Sequence, residues 1–305
     1  MYVYNIFGMV IISELQLPVC KEVPELKNQA NVYIKYGDVK AHLPQEYINS
    51  NKHTIVEPNN IWLHINGNAW IHIADGKYIT VELLKDADLQ TVCLYLFGSG
   101  IGAIAHQQGK NIIHGNTIQT QNGCIIFTGD SGVGKSTIST ALYERGYPFL
   151  ADDLAVINEK LEVEPGIPRL KVWQDTANDL NINTENLDRI RLLVNKYSYP
   201  ITKNICTQPR RIKTIFVLET HDENSFKIEE ISGVTKFKEL QYHTYRKFYV
   251  KKMGYQKQFF ELTSQIAQNV SLYKITRPAN KFGFQVDKLI DIVEDIITSN
   301  HEQLI

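Results

Sequence analysis

The run Gly129-Asp130-Ser131-Gly132-Val133-Gly134-Lys135-Ser136, followed by Thr137, constrains this chain more than any other stretch. It fits G-x-x-x-x-G-K-[ST], a loop that cradles nucleotide phosphates. Its glycines allow backbone angles and close approaches that a Cβ blocks. The loop amides then form a nest for phosphate oxygens, and a helix starting near Ser136 adds its positive dipole end. Lys135 is placed to reach the β- and γ-phosphates, and the Ser136 hydroxyl to ligate Mg²⁺. The flanks agree. Residues 124–128, Cys-Ile-Ile-Phe-Thr, read as a short buried strand. Ile138, Ala141 and Leu142 recur at helical spacing up to Arg145, and Gly146 stands where a C′ glycine belongs. A Gly-rich turn matching by chance would have to coincide with all three signals. Residues 129–137 are therefore read as the contacts of a nucleotide, ATP with Mg²⁺.

The totals exclude other classes. The 305 residues fit about two domains at ~150 each. A net charge of -1 argues against a general nucleic-acid or membrane binder. An uninterrupted apolar run of about 18 residues is not seen, and residues 1–12 lack a basic n-region and a cleavage site, so no membrane span or signal peptide is expected. Cys20, Cys93, Cys124 and Cys206 lie far apart without C-x-x-C spacing. They read as thiols, not zinc ligands, and Cys93 and Cys124 as buried ones, in keeping with a reducing cytoplasm.

Residues 1–88 read as a small β-rich domain of antiparallel strands, and 89–305 as the nucleotide-binding α/β domain. Strands are expected at 4–13, 32–36, 61–65, 69–73 and 78–81, with Asn66-Gly67 and Asp75-Gly76 as turns. His64 and His72 either face each other across one hairpin or, as histidines on a sheet more commonly do, lie at the surface as separate residues. Residues 86–108 read as a helix bridging the domains, its apolar stripe interrupted by Gly98, Gly100 and Gly102. The segment 111–115 is a strand beside the one carrying the loop, which sets His114 nearby. Residues 174–209 look polar and Asn-rich, an insertion or a short helix. Residues 214–218 form a core strand preceded by Arg210-Arg211, and 236–252 read as a basic helix face that either is solvated or meets an acidic peptide or phosphate. Helices follow at 256–270 and from 286 onwards, around a strand at 272–275.

After the loop helix comes Tyr147-Pro148-Phe149-Leu150-Ala151, then Asp152-Asp153, then an apolar stretch again. Two adjacent carboxylates between apolar runs need partners, since burying each alone costs several kcal/mol. Mg²⁺ held by Ser136, and Lys135, are the expected partners. One Asp can take the proton of an incoming hydroxyl while the other holds the metal. An arginine meeting the γ-phosphate is expected too, and Arg211 is the candidate.

Residues 114–157, with His114-Gly115, the glycine loop, Arg145-Gly146 and Ala151-Asp152-Asp153, resemble the catalytic core of bacterial HPr kinase/phosphorylases. That resemblance implies Asp152 as general base, Asp153 and Ser136 on Mg²⁺, Lys135 on the phosphates, and His114 near the active site. The family's Glu-x-Arg-Gly-Leu-Gly signature is replaced by Pro165-Gly166-Ile167-Pro168-Arg169-Leu170, which points away from HPr and from phosphorolysis. The longer pattern is similar to HPr-kinase-related proteins of lasso peptide and other peptide natural-product biosynthesis. It rests on Ser13-Glu14-Leu15-x-Leu17-Pro18, Gln108-Gly109, the 165–170 loop and His243-Thr244-Tyr245-Arg246. Some of those proteins phosphorylate a serine, often C-terminal, of a precursor peptide. The resemblance implies a P-loop, HPr-kinase-like C-terminal domain and an ATP-dependent serine kinase acting on a peptide or protein. Arg169, Arg210 and Arg246 are second-tier phosphate or substrate contacts, and a homo-oligomer is possible. A small-molecule hydroxyl kinase and a nucleotide-sensing regulator without turnover stay open as alternatives.

Overall fold

The computed structural model describes residues 1–47, 52–191 and 194–302. The fold is mixed α/β, with sheets of seven, eight and three strands among the described residues. The first sheet lies within residues 2–83. Its strand order is Tyr2–Ile6, Met9–Ser13, Val32–Tyr36, Tyr78–Leu83, Ala69–Ala74, Asn60–Ile65 and Thr54–Glu57. It is not wholly antiparallel, because Val32–Tyr36 runs parallel to both of its neighbours. The single strand expected over 4–13 is a hairpin. Phe7 and Gly8 both take positive φ, +53° and +69°, the geometry of a two-residue turn matched to strand twist. The apolar run continues through the turn, so composition alone does not reveal it.

His64 and His72 do not face each other. The register sets His64 opposite Trp70 and Trp62 opposite His72. Each pair stacks, with ring centroids 4.1 Å and 4.8 Å apart.

The second sheet carries the loop. Gly123–Gly129 runs parallel to Arg210–His221, which runs parallel to Ser271–Pro278. Asn111–Thr120 pairs antiparallel on the other side of Gly123–Gly129. Both faces of these strands are covered, which is why they read as continuous apolar runs. Ile125, Phe127, Phe216 and Leu218 pack under helices Lys135–Glu144 and Val286–Glu302. Cys124, Ile126, Ile215 and Val217 join the larger core on the opposite face. Arg145 ties the end of the loop helix to the last helix through Asp287 at 2.8 Å and Glu294 at 3.5 Å.

The larger core is shared by both halves of the chain. Ile11, Ile34, Ile61 and Ile79 belong to one apolar cluster with Val92, Ile104, Ile112 and Leu272. The boundary expected at 88/89 thus separates two sheets that are joined by a common core. The segment Leu89–Gln107 lies between them. It is capped by Asp88, whose carboxylate accepts from the amides of Gln90 and Thr91. By length and composition it is apolar enough to cross a membrane, yet 67% of it is buried inside the protein, as in a core helix. Its glycines do not end it. Residues Leu96–Gly100 form a π-helical turn, and a Cβ at Gly98 or Gly102 would stand 3.1 Å or 3.0 Å from the Tyr245 ring system. The glycines leave room for that tyrosine.

Residues 174–209 hold more than an insertion. A short helix, Gln174–Asp179, is followed by strands Arg189–Arg191 and Val194–Pro200, which form the third sheet with Arg169–Trp173. Residues 192 and 193 of this segment lie outside the described residues. The expected basic helix at 236–252 is two helices, Gly233–Tyr242 and Lys247–Met253. The break between them lies against the strand Asn111–Thr120: His114 N–H donates to the His243 carbonyl at 2.9 Å and Tyr245 N–H to the Ile112 carbonyl at 2.8 Å. Its residues are therefore half-buried or buried, with Lys247, Phe248, Lys251 and Lys252 left outside.

Candidate active site

The loop sits at the C-terminal end of the Gly123–Gly129 strand. Gly129 and Gly134 hold φ of +139° and +107°, and a side chain at either would strike the Leu218 carbonyl or the Phe284 ring. Arg277, fully buried, ties down the back of the loop. Its Nε donates to the Val133 carbonyl at 2.8 Å and its Nη2 to Asn280 Oδ1 at 2.9 Å, with the guanidinium 4.2 Å over Phe284. Lys135 Nζ donates to the carbonyls of Gly129 at 2.7 Å and Asp130 at 2.9 Å. Burial lowers its pKa.

Ser131, Gly132, Gly134, Lys135, Ser136 and Thr137 border a cleft of about 640 Å³. Nothing stands within 4 Å of a Cβ built at Gly132, so the middle of the loop faces open space. Volume, loop conformation and cationic floor fit a nucleoside triphosphate. Asp130 is different: its carboxylate turns away and accepts from the Tyr242 hydroxyl at 3.2 Å. Gly129 and Val133 shape and anchor the loop without lining the cleft. Ser136 and Asp153 both border the cleft. Their oxygens are the hard donors that Mg²⁺ takes together with phosphate oxygens. Among the described residues no group of three or more His, Cys, Asp or Glu is set to hold a metal, so an all-protein cage is not what these residues offer.

Asp152 and Asp153 form a short bend between two strands. Residues Phe149–Ala151 and Leu154–Ile157 both lie along the Asn111–Thr120 strand, with Ala151 opposite Thr117 and Leu154 opposite His114. Asp153 takes φ +63°, a left-handed conformation that Asp tolerates at a cost. This flips its carbonyl toward the neighbouring strand, where it accepts from Gly115 N–H at 3.1 Å and His114 Nδ1–H at 3.0 Å. His114 lines the nucleotide cleft, and burial lowers its pKa, favouring the neutral ring.

The two carboxylates differ. Asp153 Oδ2 pairs with Lys171 Nζ. Burial opposes its ionisation, but the charges of Lys171, Lys196 and His114 outweigh it and hold it well below the usual carboxylate range. Asp152 Oδ2 accepts from the Lys171 amide at 3.0 Å, while its buried Oδ1 has no hydrogen-bond partner. Burial first, and the Asp153 charge second, push its carboxyl up to about 7. A carboxyl with a raised pKa thus stands beside one with a lowered pKa, a pairing that can serve acid–base chemistry.

Asp152 faces a second cleft of about 330 Å³. Asp153, Trp173 and Lys196 border both clefts, so the two meet there. The wall opposite the Asp pair is the strand Arg169–Trp173. Arg169, Lys171 and Trp173 share one face by period two and line the second cleft, while Leu170 and Val172 pack behind it. Lys196 is the register partner of Trp173 and lies 5.1 Å over its ring. Phe7, at the tip of the first hairpin, reaches this cleft too, its N–H bonded to the Pro165 carbonyl at 2.8 Å.

Lys171, Trp173, Lys196 and Arg277 are functional candidates that motif reading misses. The alternation Arg169-x-Lys171-x-Trp173 was the available signal. Arg211 is a correction. In the parallel register Ile212 sits by Cys124 and Leu218 by Gly129. Arg211 is therefore at the opposite end of its strand, about 23 Å from the loop at ~3.3 Å per residue. It is exposed and stands opposite Glu162. Six intervening residues of strand, 212–217, extended and not helical, carry it away.

No family model matches the chain. Over 49 residues, 16% of this chain, it is 43% identical to an HPr kinase/phosphorylase of Pelodictyon phaeoclathratiforme (strain DSM 5477 / BU-1), and the match spans 15% of that protein's length. Among solved structures it matches the Hpr(Ser) kinase/phosphatase from Coxiella burnetii, at 12% identity over 63% of this chain and 98% of that one, with a TM-score of 0.29.

Proposed function

We propose that this chain is an ATP- and Mg²⁺-dependent kinase that transfers the γ-phosphate to a serine hydroxyl of a peptide or protein, of the lasso-precursor type. The observation that carries the reading is the meeting of two clefts at Asp152-Asp153. The glycine loop and Lys135 lie on one side, and Asp152 lines the other. The short likeness to an HPr kinase/phosphorylase supports it.

In this reading the loop amides and Lys135 hold the phosphates, with Lys135 exchanging its two carbonyl bonds for phosphate oxygens. Ser136 and Asp153 would hold Mg²⁺, which would supply charge neutralisation at the phosphates. The acceptor hydroxyl enters from the second cleft and gives its proton to the Asp152 carboxylate. Lys171 keeps both carboxylates oriented through its amide and its ammonium group. Lys196, at the junction, is the cation placed to meet the transferring group in the role first expected of Arg211. Positioning and electrostatics do most of the work, as phosphoryl transfer requires. The test is mass spectrometry of serine peptides incubated with the chain, ATP and Mg²⁺. A mass gain of one phosphate on serine is the expected result. Unmodified peptide alongside a phosphorylated small molecule would replace this reading by a small-molecule kinase.

A further inference from the structure

The nucleotide cleft has a direction. Asp153, Trp173 and Lys196 border it where it meets the second cleft, so the transferring phosphate belongs at that end. A triphosphate laid along the loop from there carries its nucleoside away from the junction. Apart from the loop and His114, two walls border the nucleotide cleft alone. One is the helix Gln174–Asp179, which presents Asp175, Thr176 and Asp179. The other is the turn after the strand Ser271–Pro278, which presents Asn280, Gly283 and Phe284.

The helix wall continues directly from Trp173, and the Thr176 hydroxyl stands 2.8 Å from that of Thr137. It belongs to the junction end. Its two carboxylates oppose the charge of a triphosphate, and it offers a base no ring to pack on.

The turn differs on each count. Its strand runs parallel to the one carrying the loop, with Arg210–His221 between them. Loop and turn therefore share the C-terminal edge of these strands, where ligands of parallel sheets bind. Phe284 lies against the loop itself, since a Cβ at Gly134 would stand 2.3 Å from its ring. The Arg277 guanidinium covers one face of that ring at 4.2 Å, and the ring borders the cleft. Arg277 carries only donors, so the Asn280 atom it meets at 2.9 Å is the oxygen. That leaves the Asn280 amide with N–H groups to offer. A Cβ at Gly283, φ +79°, would meet nothing within 4 Å, so space is open beside the ring. Arg277 also bonds the Val133 carbonyl, which fixes turn and loop as one unit.

Resting on the kinase reading, we infer that residues 280–284 seat the base of the donor nucleotide, with Phe284 packed on its face and Asn280 Nδ2 donating to a ring nitrogen. Adenine and guanine both present N7 as an acceptor, so a single donor takes them nearly alike.

The test uses the unmodified chain and needs no turnover. Calorimetric titration compares the Mg²⁺ complexes of ATP, GTP and ribose 5-triphosphate, which keeps the sugar and the charge and lacks the base. ATP and GTP should bind within about fivefold of each other and about 10- to 100-fold more tightly than the ribose compound, the range of one base packed on an aromatic ring. Photolabelling with 8-azido-ATP, read by peptide mass spectrometry, should mark residues 280–284, and excess ATP should suppress the mark. Phe284→Leu should bring ATP to within about threefold of ribose 5-triphosphate. Equal affinity for ATP and ribose 5-triphosphate overturns the inference and leaves the phosphate loop standing. So does an ATP-suppressed label on residues 174–179, which would move the base to the helix wall whether or not the variant folds. Rejection of GTP by more than about 100-fold overturns recognition through a single donor. Binding of none of the three compounds would sink the nucleotide reading itself, and this seat with it.

Discussion

The nucleotide cleft takes six of its lining residues from one stretch, Ser131, Gly132 and residues 134–137, whereas the cleft beside it gathers Phe7, Phe97, Asp152, Arg169, Lys196 and Arg246 from separate elements. The first is shaped by backbone: positive-φ glycines, a helix start and a buried lysine. The second is shaped by side chains that meet only after a hairpin tip, a π-turn, a left-handed Asp153 and a strained Arg246 have formed. A site of the first kind keeps its chemistry when neighbouring sequence drifts. One of the second kind can be retuned by single substitutions, as expected where acceptors vary and the phosphate donor does not.

Removing one group from each side is the strongest way to break this contrast. Lys135→Met should abolish nucleotide binding and transfer together. Asp152→Asn should leave MgATP affinity within about twofold while the transfer rate falls about 10²- to 10⁴-fold, the usual contribution of a positioned base. Calorimetric MgATP titration and single-turnover transfer read the two quantities. Transfer by Asp152→Asn at the unmodified rate would remove Asp152 from the base role.

The next effect is pH. With the Asp152 carboxyl pushed up to about 7, transfer should rise about tenfold per unit as pH climbs toward that value, then level off. Stability moves the other way. The folded chain holds a proton on Asp152 that the unfolded chain has already lost above about 4, so folding weakens as pH rises from about 4 to 7. Asp152→Asn should remove that decline, giving a thermal midpoint at pH 8 no lower than that of the unmodified chain. Asp153, shifted downward, contributes stability that is lost only as pH falls below the ordinary carboxylate range. A transfer rate flat from pH 5 to 8 would argue against a raised base.

How far the sequence can be read follows from the same contrast. The strand, loop and helix around residues 123–144, the Asp pair, and the closing helix are local patterns and were legible. The hairpin at Phe7-Gly8 was hidden because the apolar run of residues 2–12 continues straight through it. The third sheet was hidden because its strands, such as Val194–Pro200, are polar on one side and flank a stretch rich in asparagine. Arg211 was misplaced because a motif fixes neighbours along the chain, not which end of a strand a residue occupies.

Lys171 sharpens the comparison, since it serves the Asp pair from the acceptor side. Lys171→Met leaves Asp153 half-buried without its partner. Full loss of a buried pair costs about 3–5 kcal/mol, and the partial exposure of both groups reduces this to roughly 1–3 kcal/mol. Chemical denaturation reads it. Lys171 also holds the Asp152 pKa down against burial, so the rising limb of the pH profile should move to higher pH in this variant. An unmoved limb would mean that the ammonium group does not act on the base.

The smallest effect belongs to Arg211. It lies at the far end of the Arg210–His221 strand, exposed and opposite Glu162, with the loop beside Leu218 at the other end. Arg211→Ala should change transfer by less than about twofold and stability by no more than about 0.5 kcal/mol, as for most exposed positions. Lys196→Ala, made in parallel, should lower transfer far more with MgATP affinity nearly intact, because its side chain stands where the two clefts join. The reverse ranking would return the phosphate-side cation to Arg211 and would require this strand, or a second copy of the chain, to bring it to the loop.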